Sequence, residues 1–306
     1  MQQLTIGIFH DDSLSKDLGK KATESDMVFF HRKTDNQIFT FIHPVEDKII
    51  PKSQIINMID FAIISAEQIT PALGETILML DSVNINKGIL IIEPYMDTTQ
   101  LKKMIQDTAL SSFQIMPRDI HQIMEYLQNQ TIKKDETGPV AVTIDHSFHV
   151  KGLGEVILGF VNQGTVKKHD KLQLLPLNKE IIVRSIQMQD NDAESAPSGS
   201  RVGLAIKGVS VDDLKRGYLL CQNETGKTTT AINLSFSKNP FYPEVNTGKY
   251  HTTIGLQTVP ITLKKKTEDS ISIETEKQIA YLNHQHALIL DLNADKLHHI
   301  GTGKIR

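Results

Sequence analysis

Residues 139–221 read PVAVTIDHSFHVKGLGEVILGFVNQGTVKKHDKL at their start and GSRVGLAIKGVSVDDLKRGYLLC at their end. Apolar residues alternate with other residues in short runs, among them 140–144, 156–160 and 202–206, and glycines separate these runs. Alternation with a period of two predicts β-strands that bury one face. Short strands joined by glycine-containing turns are typical of a closed antiparallel sheet. This segment is therefore predicted to be an antiparallel β-barrel.

The segments on both sides of this barrel follow other patterns. In residues 1–136, apolar runs such as LTIGIF and GILII alternate with helical patterns, which predicts a parallel α/β sheet. Residues 224–306 again show short alternating runs, and we expect a second antiparallel barrel there. Polar segments at 133–139 and 222–227 fit linkers. The predicted domains are therefore 1–136, 137–223 and 224–306.

The composition restricts the class of protein. The 306 residues include 39% hydrophobic and 23% charged residues, which favours packed domains over disorder. The net charge of −3 arises mainly in residues 1–136, and no segment is basic enough to indicate DNA or RNA by charge alone. The single cysteine, Cys221, excludes an internal disulfide. Without a signal-peptide pattern or a run of about 20 apolar residues, we expect a soluble cytoplasmic protein with no membrane partner.

The first predicted strand is followed by a segment that lacks a phosphate-binding loop. The pattern G-x-x-x-x-G-K-[ST] can be tried in two registers, which place Lys16 or Lys20 at the lysine position. Neither register has the first glycine or the hydroxyl that binds magnesium. Asp11 and Asp12 would also repel a polyphosphate, by roughly 4 kcal/mol for each pair of charges about 4 Å apart at an effective dielectric constant near 20. We therefore expect no nucleotide cofactor.

The barrel segment resembles a known family through three motifs. The turns K-G-x-G-x-V and N-x-G-x-V-K and the strand R-V-G-x-A-I-x-G occur in the order and spacing of domain II of EF-Tu-type translational factors. The resemblance is greatest to the archaeal selenocysteine-specific elongation factor SelB. Residues 239–263, NPFYPEVNTGKYHTTIGLQTVPITL, resemble the start of the third domain of that factor. The fold implied is a degenerate G-domain-like parallel sheet followed by two antiparallel barrels, as in EF-Tu domains II and III.

The first domain resembles the GTPase domain of this family only in outline. In FTFIHPVED, His43 and Glu46 stand where the family has its switch aspartate and glycine. In IIEPYMD, Glu93 and Pro94 replace the first two residues of the guanine-binding N-K-x-D motif. The resemblance thus implies a pseudo-GTPase and not an enzyme. The alternative is an atypical GTP-binding factor in which Lys16 or Lys20 still holds phosphate.

The candidate binding residues are Asp145, His146 and Arg201, because the resemblance places them where SelB surrounds the selenocysteinyl group. Their chemistry fits an anionic aminoacyl group, since a guanidinium holds an anion, a histidine donates to it and a carboxylate orients the histidine. Neighbours on a strand point to opposite faces, so Asp145 and His146 can act together only at a bulge or a strand end. Alternatively, Asp145 and His146 cap a barrel rim and Arg201 makes a surface ion pair.

Two further sets of residues near the C-terminal end were considered. The basic run of Lys264, Lys265 and Lys266 fits either a solvated hairpin or contacts with an RNA backbone. The histidines there have no cysteine or carboxylate at ligand spacing, so no metal is expected; they are His284, His286, His298 and His299.

The predicted function is that of an elongation-factor-like protein that binds an aminoacyl-tRNA acceptor end without a nucleotide switch. The expected partners are an aminoacylated tRNA and, by the resemblance, the ribosome. Besides the atypical GTPase, one alternative stays open, in which the acidic first domain docks a ribosomal or protein partner and the barrels only support it.

Overall fold

The computed structural model describes residues 1–92, 98–222, 224–283 and 285–305. These residues form two compact units. One consists of Met1–Ile132 with Ser237–Val245 and Leu288–Thr302. The other consists of Lys133–Phe236 with Asn246–Ala287 and the last residues from Gly303. The predicted three-domain division stays a prediction, because residues 224–306 contribute to both units.

The first unit contains a mixed seven-stranded sheet with helices. Its strands are β1 (Gln2–Phe9), β2 (Lys20–Glu24), β3 (Met27–Lys33), β4 (Gln37–Pro44), β5 (Phe61–Ala66), β6 (Gly88–Ile92) and β7 (Gln114–Met116). Its helices are α1 (Asp12–Leu18), α2 (Ile49–Ile56), α3 (Pro71–Ser82), α4 (Thr98–Ile105) and α5 (Ile120–Gln128). The strand order is β2-β3-β4-β1-β5-β6-β7. Strands β4, β1, β5, β6 and β7 are parallel, whereas β2 and β3 extend the sheet in antiparallel fashion.

Helix ends in this unit follow the capping chemistry of the sequence. Asp119 precedes α5 and accepts the backbone N–H groups of His121 and Gln122, the usual role of an aspartate at this position. Pro71 occupies the first turn of α3, and the Thr70 hydroxyl accepts the N–H of Leu73. The apolar pattern of residues 98–110 predicts one helix, but α4 ends at Ile105 and a 3₁₀ turn, Ala109–Ser112, follows it.

The segment that begins at residue 139 forms a closed barrel. Its strands are β8 (Ala141–Val150), β9 (Gly154–Gln163), β10 (Thr165–Lys167), β11 (Lys171–Leu175), β12 (Lys179–Met188), β13 (Asn191–Ala193), β14 (Ser195–Pro197), β15 (Arg201–Lys207) and β16 (Leu219–Cys221). Six of these strands pair in the order β11-β16-β8-β9-β15-β12, and β12 pairs with β11 to close the ring. The alternating apolar residues fill the interior, with Val142, Ile144 and Leu204 fully buried.

The remaining strands form a second closed barrel. They are β17 (Gly226–Lys238), β18 (Gly248–Ile254), β19 (Gln257–Lys266), β20 (Ser270–Leu282), β21 (His286–Leu290) and β22 (His299–Ile305), and they pair in the order β17-β20-β19-β18-β21-β22. An α/β sheet followed by two six-stranded antiparallel barrels confirms the predicted fold class. Among the described residues, every helix is too short or too polar to cross a bilayer.

Candidate functional site

A β-bulge interrupts β8 at Asp145. Ile144 pairs with Gly159 and His146 pairs with Leu158, so Asp145 is an extra residue with no partner of its own in the ladder with β9. A bulge of this kind re-aims side chains that strict alternation would separate. Asp145 is 3% exposed, whereas His146 is exposed. The geometric requirement set by the sequence is thus met by a bulge, but only one of the two neighbours is buried.

Asp145 and Arg201 form a buried ion pair. Arg201 opens β15, and its Nη2 lies 2.9 Å from Oδ2 of Asp145, with side-chain exposures of 7% and 3%. The Arg201 guanidinium carbon lies 5.9 Å from the ring centre of Phe160, its cross-strand neighbour on β9. Burial lowers the pKa of Arg201, while the Asp145 charge acts to raise it. Both side chains are therefore buried, so the pair is not the surface ion pair of the alternative interpretation.

His146 lies on the outer side of the same strand. Its nearest described ring is Phe148, with centroids 6.1 Å apart and planes tilted by 44°. Phe148 is itself 36% exposed, which is unusual for a large apolar side chain. The structure therefore brings Asp145 and Arg201 together and places His146 beside Phe148 on an exposed face of β8.

The backbone around Asp145 is fixed from a neighbouring segment. Arg216 donates from Nε to the carbonyl oxygen of Asp145 at 3.2 Å. The N–H of Gly217 donates to the carbonyl oxygen of Ile144 at 2.7 Å. Arg216 was not singled out from the sequence, and its distance of 71 residues from Asp145 along the chain left no local signal.

The segment after β1 forms a self-capped helix start. Asp11 Oδ1 accepts the N–H groups of Ser13 and Leu14, both at 3.1 Å. Arg118 donates to Asp11 Oδ2 at 2.7 Å and to Asp17 Oδ2 at 2.9 Å. Although burial alone would raise it, the pKa of Asp11 is lowered by the hydrogen bonds from Arg118 and Ser13. A carboxylate of the chain thus occupies the position where a helix N-terminus attracts anions.

The described residues at the other positions of the nucleotide-binding motifs lie in different segments of the first unit. Lys16 is in the last turn of α1 and Lys20 begins β2, so neither is at the start of α1. His43 is buried in β4, and its Nδ1 lies 2.5 Å from Ser15 Oγ. Glu46 is exposed and pairs with Lys48. Glu93 and Pro94 lie outside the described residues.

The lysine run lies at the end of β19 and not between strands. Lys264, Lys265 and Lys266 are all exposed. A register shift between Leu263 and Lys265 leaves Lys264 unmatched in the ladder with β20, and Lys264 Nζ lies 3.0 Å from Glu274 Oε2. One of the three positive charges is therefore partly compensated by a neighbouring carboxylate.

The C-terminal histidines have a structural role that the sequence did not indicate. The N–H groups of His298 and His299 donate to Glu75 Oε1 at 2.6 and 2.9 Å, and Glu75 is buried. Burial lowers the pKa of His299 to about 4. His284 lies outside the described residues. In the described ranges, no three His, Cys, Asp or Glu side chains are grouped to hold a metal ion.

The fold and the order of the motifs along the chain define the class of protein: the architecture is that of EF-Tu-like translation factors. A family model described as elongation factor Tu domain 2 matches residues 154–221. A solved structure of translation elongation factor SelB from Methanococcus maripaludis, in complex with the GTP analogue GPPNHP, superposes with a TM-score of 0.86 at 26% identity. That match covers 100% of this chain and 79% of the SelB chain.

Relatives in sequence identify the family within this class of translation factors. Uncharacterized protein MJ0325 of Methanocaldococcus jannaschii is 38% identical over 310 residues, with 100% of both chains covered. The selenocysteine-specific elongation factor of the same organism is 31% identical, over 68% of this chain and 50% of that factor. The chain thus spans half the length of that factor. It belongs to a family of SelB-like proteins, which confirms the resemblance inferred from the sequence.

Proposed function

We propose that this protein binds the aminoacylated acceptor end of a tRNA at β8 and β15 of the first barrel, without a GTP-dependent switch. One observation carries the proposal: the bulge at Asp145 buries that carboxylate against Arg201 while His146 and Phe148 stay exposed on the same strand. A fixed guanidinium on β15, together with an exposed imidazole and aromatic ring on β8, suits an anionic or polarised aminoacyl group next to a nucleobase. The likeness to selenocysteine-specific elongation factors supports the same role.

The ion pair has a defined part in this proposal. Arg201 and Asp145 neutralise each other, so the pair alone does not attract a distant anion. Instead, Asp145 holds the guanidinium in one orientation, and the planar fork of an arginine can bind a second acceptor beside the first. Preorganisation of this kind lowers the ordering cost when the ligand binds. His146 supplies a ring donor at the exposed face, and Phe148 supplies a stacking surface.

The segment after β1 supports the second half of the proposal, which is that no nucleotide switch operates. A phosphate at the start of α1 would have to displace the Asp11 carboxylate from two backbone N–H groups and separate it from Arg118. Helix α1 also has only seven residues, which limits the dipole that a phosphate could use. Both features favour a pseudo-GTPase over the atypical GTPase. Micromolar binding of GTP with magnesium in a calorimeter would favour the atypical GTPase instead.

The three lysines at the end of β19 fit a contact with the RNA backbone. Lys265 and Lys266 are exposed, and Lys264 would have to leave Glu274 to reach a phosphate. Two phosphate contacts correspond to a slope of roughly −1.5 in a plot of log affinity against log salt, at about −0.7 to −0.9 per contact. Replacement of Lys265 and Lys266 by alanine is expected to remove most of this slope.

The test compares the affinities for aminoacylated and deacylated tRNA by fluorescence anisotropy. His146→Ala and Phe148→Ala act at exposed positions, so both variants should fold. Each is expected to reduce the preference for aminoacylated tRNA about five- to tenfold, the value of one lost contact of about 1–1.4 kcal/mol. The matched control is His149→Ala on the same strand, because His149 contacts Glu155 and is 60% exposed. Equal affinity for both tRNA forms in the unmodified protein would contradict the proposal.

The proposal includes the cytoplasm as the place of action and the ribosome as a later partner. The alternative, in which the protein is an interaction module, predicts a different result. Co-purification of a protein partner after RNase treatment, without any tRNA preference, would favour docking by the acidic first domain over tRNA binding.

A further inference from the structure

An open cleft lies at the carboxyl ends of the parallel strands β1 and β5. Its volume is about 330 Å³. The residues that line it come from the ends of both strands and the start of α3: His10, Ser65, Glu67, Gln68, Thr70 and Leu73. Helix α1 follows β1 and packs with α5 against a shared hydrophobic core. Helix α3 follows β5 and packs with α2. The segments that follow β1 and β5 therefore lead to different helices, and a crevice lies between them. Open α/β sheets bind ligands in crevices of this kind.

The hydrogen bonds of His10 fix which of its ring nitrogens can accept. Thr76 Oγ1 donates its only proton to the carbonyl oxygen of Ala72 at 2.9 Å. His10 Nε2 lies 3.0 Å from the same oxygen and must therefore be the donor. Burial is the main cause that lowers the pKa of His10, and Lys52 adds to it against Asp47 and Asp12. At neutral pH the ring is thus uncharged, with Nδ1 as an acceptor.

Ser65 supplies a second, independent sign of a ligand. It is 7% exposed, and its hydroxyl has no hydrogen-bond partner among the described residues. A buried polar atom without a partner is uncommon and is costly unless water or a ligand satisfies it. Thr70, also at the cleft, accepts the N–H of Leu73 at 3.1 Å, so its own hydroxyl proton is not used in that bond.

The charges around the cleft favour a cation. Glu67 is an exposed carboxylate in its lining. Lys52 is a cation that acts on His10, and its buried side chain lies 2.5 Å from Asp47 Oδ1, which offsets part of its charge. Asp12 adds a further negative charge that acts on His10. A single carboxylate in the lining is too few for a divalent metal, which prefers several oxygen ligands.

We propose that this cleft binds a small primary amine, with its ammonium group held by Glu67, His10 Nδ1 and the Ser65 hydroxyl. An ammonium has three N–H donors and no acceptor, which matches three acceptors of which one is a carboxylate. A short carbon chain of the ligand lies against Leu73, and Gln68 or Thr70 receives a second polar end. The volume admits a molecule of a few carbon atoms. This site is separate from the tRNA site proposed above and does not depend on it.

The experiment titrates the full chain with 1,4-diaminobutane in a calorimeter and measures thermal unfolding in parallel. The expected dissociation constant is about 0.1–10 mM, as for a ligand of six heavy atoms with a modest efficiency per atom. 1-Butanol and butyrate, which have the same chain length without the ammonium, are expected to bind at least tenfold more weakly. Magnesium chloride is expected to produce no saturable heat.

Three variants separate binding from folding. Glu67→Gln keeps the shape and removes the charge, and it is expected to weaken binding about fivefold. Glu125→Gln on the exposed face of α5 makes the same charge change and should leave the affinity unchanged. Ser65→Ala should weaken binding about fivefold without lowering the stability of the free protein, because it removes a hydroxyl that has no described partner. Absence of saturable amine binding, equal binding of butanol, or equal effects of the two glutamate variants would overturn the proposal.

Discussion

Replacement of Asp145 by asparagine removes the charge that faces Arg201 but keeps the size of the side chain. The two charged atoms are 2.9 Å apart, and their side chains are 3% and 7% exposed, so little solvent screens the remaining guanidinium. Loss of one partner of a buried ion pair typically costs 3–5 kcal/mol. Because asparagine can still accept a hydrogen bond from Nη2, we expect the lower end, about 3 kcal/mol of unfolding free energy.

The double-mutant cycle shows whether this cost comes from the pair. Arg201→Met alone should also destabilise by about 3 kcal/mol, because it leaves the Asp145 carboxylate buried without its cation. The double variant removes both charges, so its loss should fall short of the sum by about 2 kcal/mol. Urea unfolding followed by circular dichroism measures all four free energies, and the slope with urea checks that the unfolded states are comparable. Losses below 1 kcal/mol that simply add would refute a buried, coupled pair.

Three further expectations follow from the structure. Burial lowers the folded-state pKa of His299 from 6.5 to about 4, so unfolding takes up a proton below pH 6.5, and stability is lost as the pH falls from 6.5 to 4. This histidine alone should lower the unfolding free energy by about 2 kcal/mol between pH 8 and pH 5. His299→Gln should flatten the pH dependence of the unfolding free energy measured with urea. Gly217 has φ +84°, and a Cβ there would lie 2.4 Å from a side-chain carbon of Gln257. Gly217→Ala should therefore lower the unfolding free energy by at least about 2 kcal/mol. A melting temperature equal to that of the unmodified protein would contradict this expectation. Burial raises the pKa of Cys221 to about 12, so its thiol should react with a disulfide reagent only after urea is added. A prompt reaction in buffer without urea would contradict the position of Cys221 in the core.

The barrels could be predicted because their sequence pattern is local. Alternating residues such as Val142 and Ile144 face the core, and the glycines between the runs stand in turns. Strand β2 had no such signal, because Lys20–Glu24 is an exposed edge strand defined only by its pairing with β3. Helix α4 likewise ends at Ile105, and the 3₁₀ turn that follows it begins at Ala109, whose N–H donates to Asp81 Oδ1 in a tertiary hydrogen bond.

The candidate site could be predicted in part. The resemblance selected Asp145, His146 and Arg201, but alternation gave no information on which of the two neighbours on β8 would be buried. That choice depends on a register shift between β8 and β9, which is a property of the pairing and not of the local sequence. Arg118 and Glu75 could not be found in this way, since their partners lie 107 and 223 residues away along the chain.

The central claim is that a fixed site in the first barrel binds the aminoacylated end of tRNA without help from a nucleotide. It is tested most directly by the affinity of the purified protein for aminoacylated and deacylated tRNA, each with and without GTP and magnesium. The account predicts at least a tenfold preference for the aminoacylated form that is the same in both conditions and decreases in His146→Ala. A preference that appears only with GTP, or equal affinities for both tRNA forms, would contradict it.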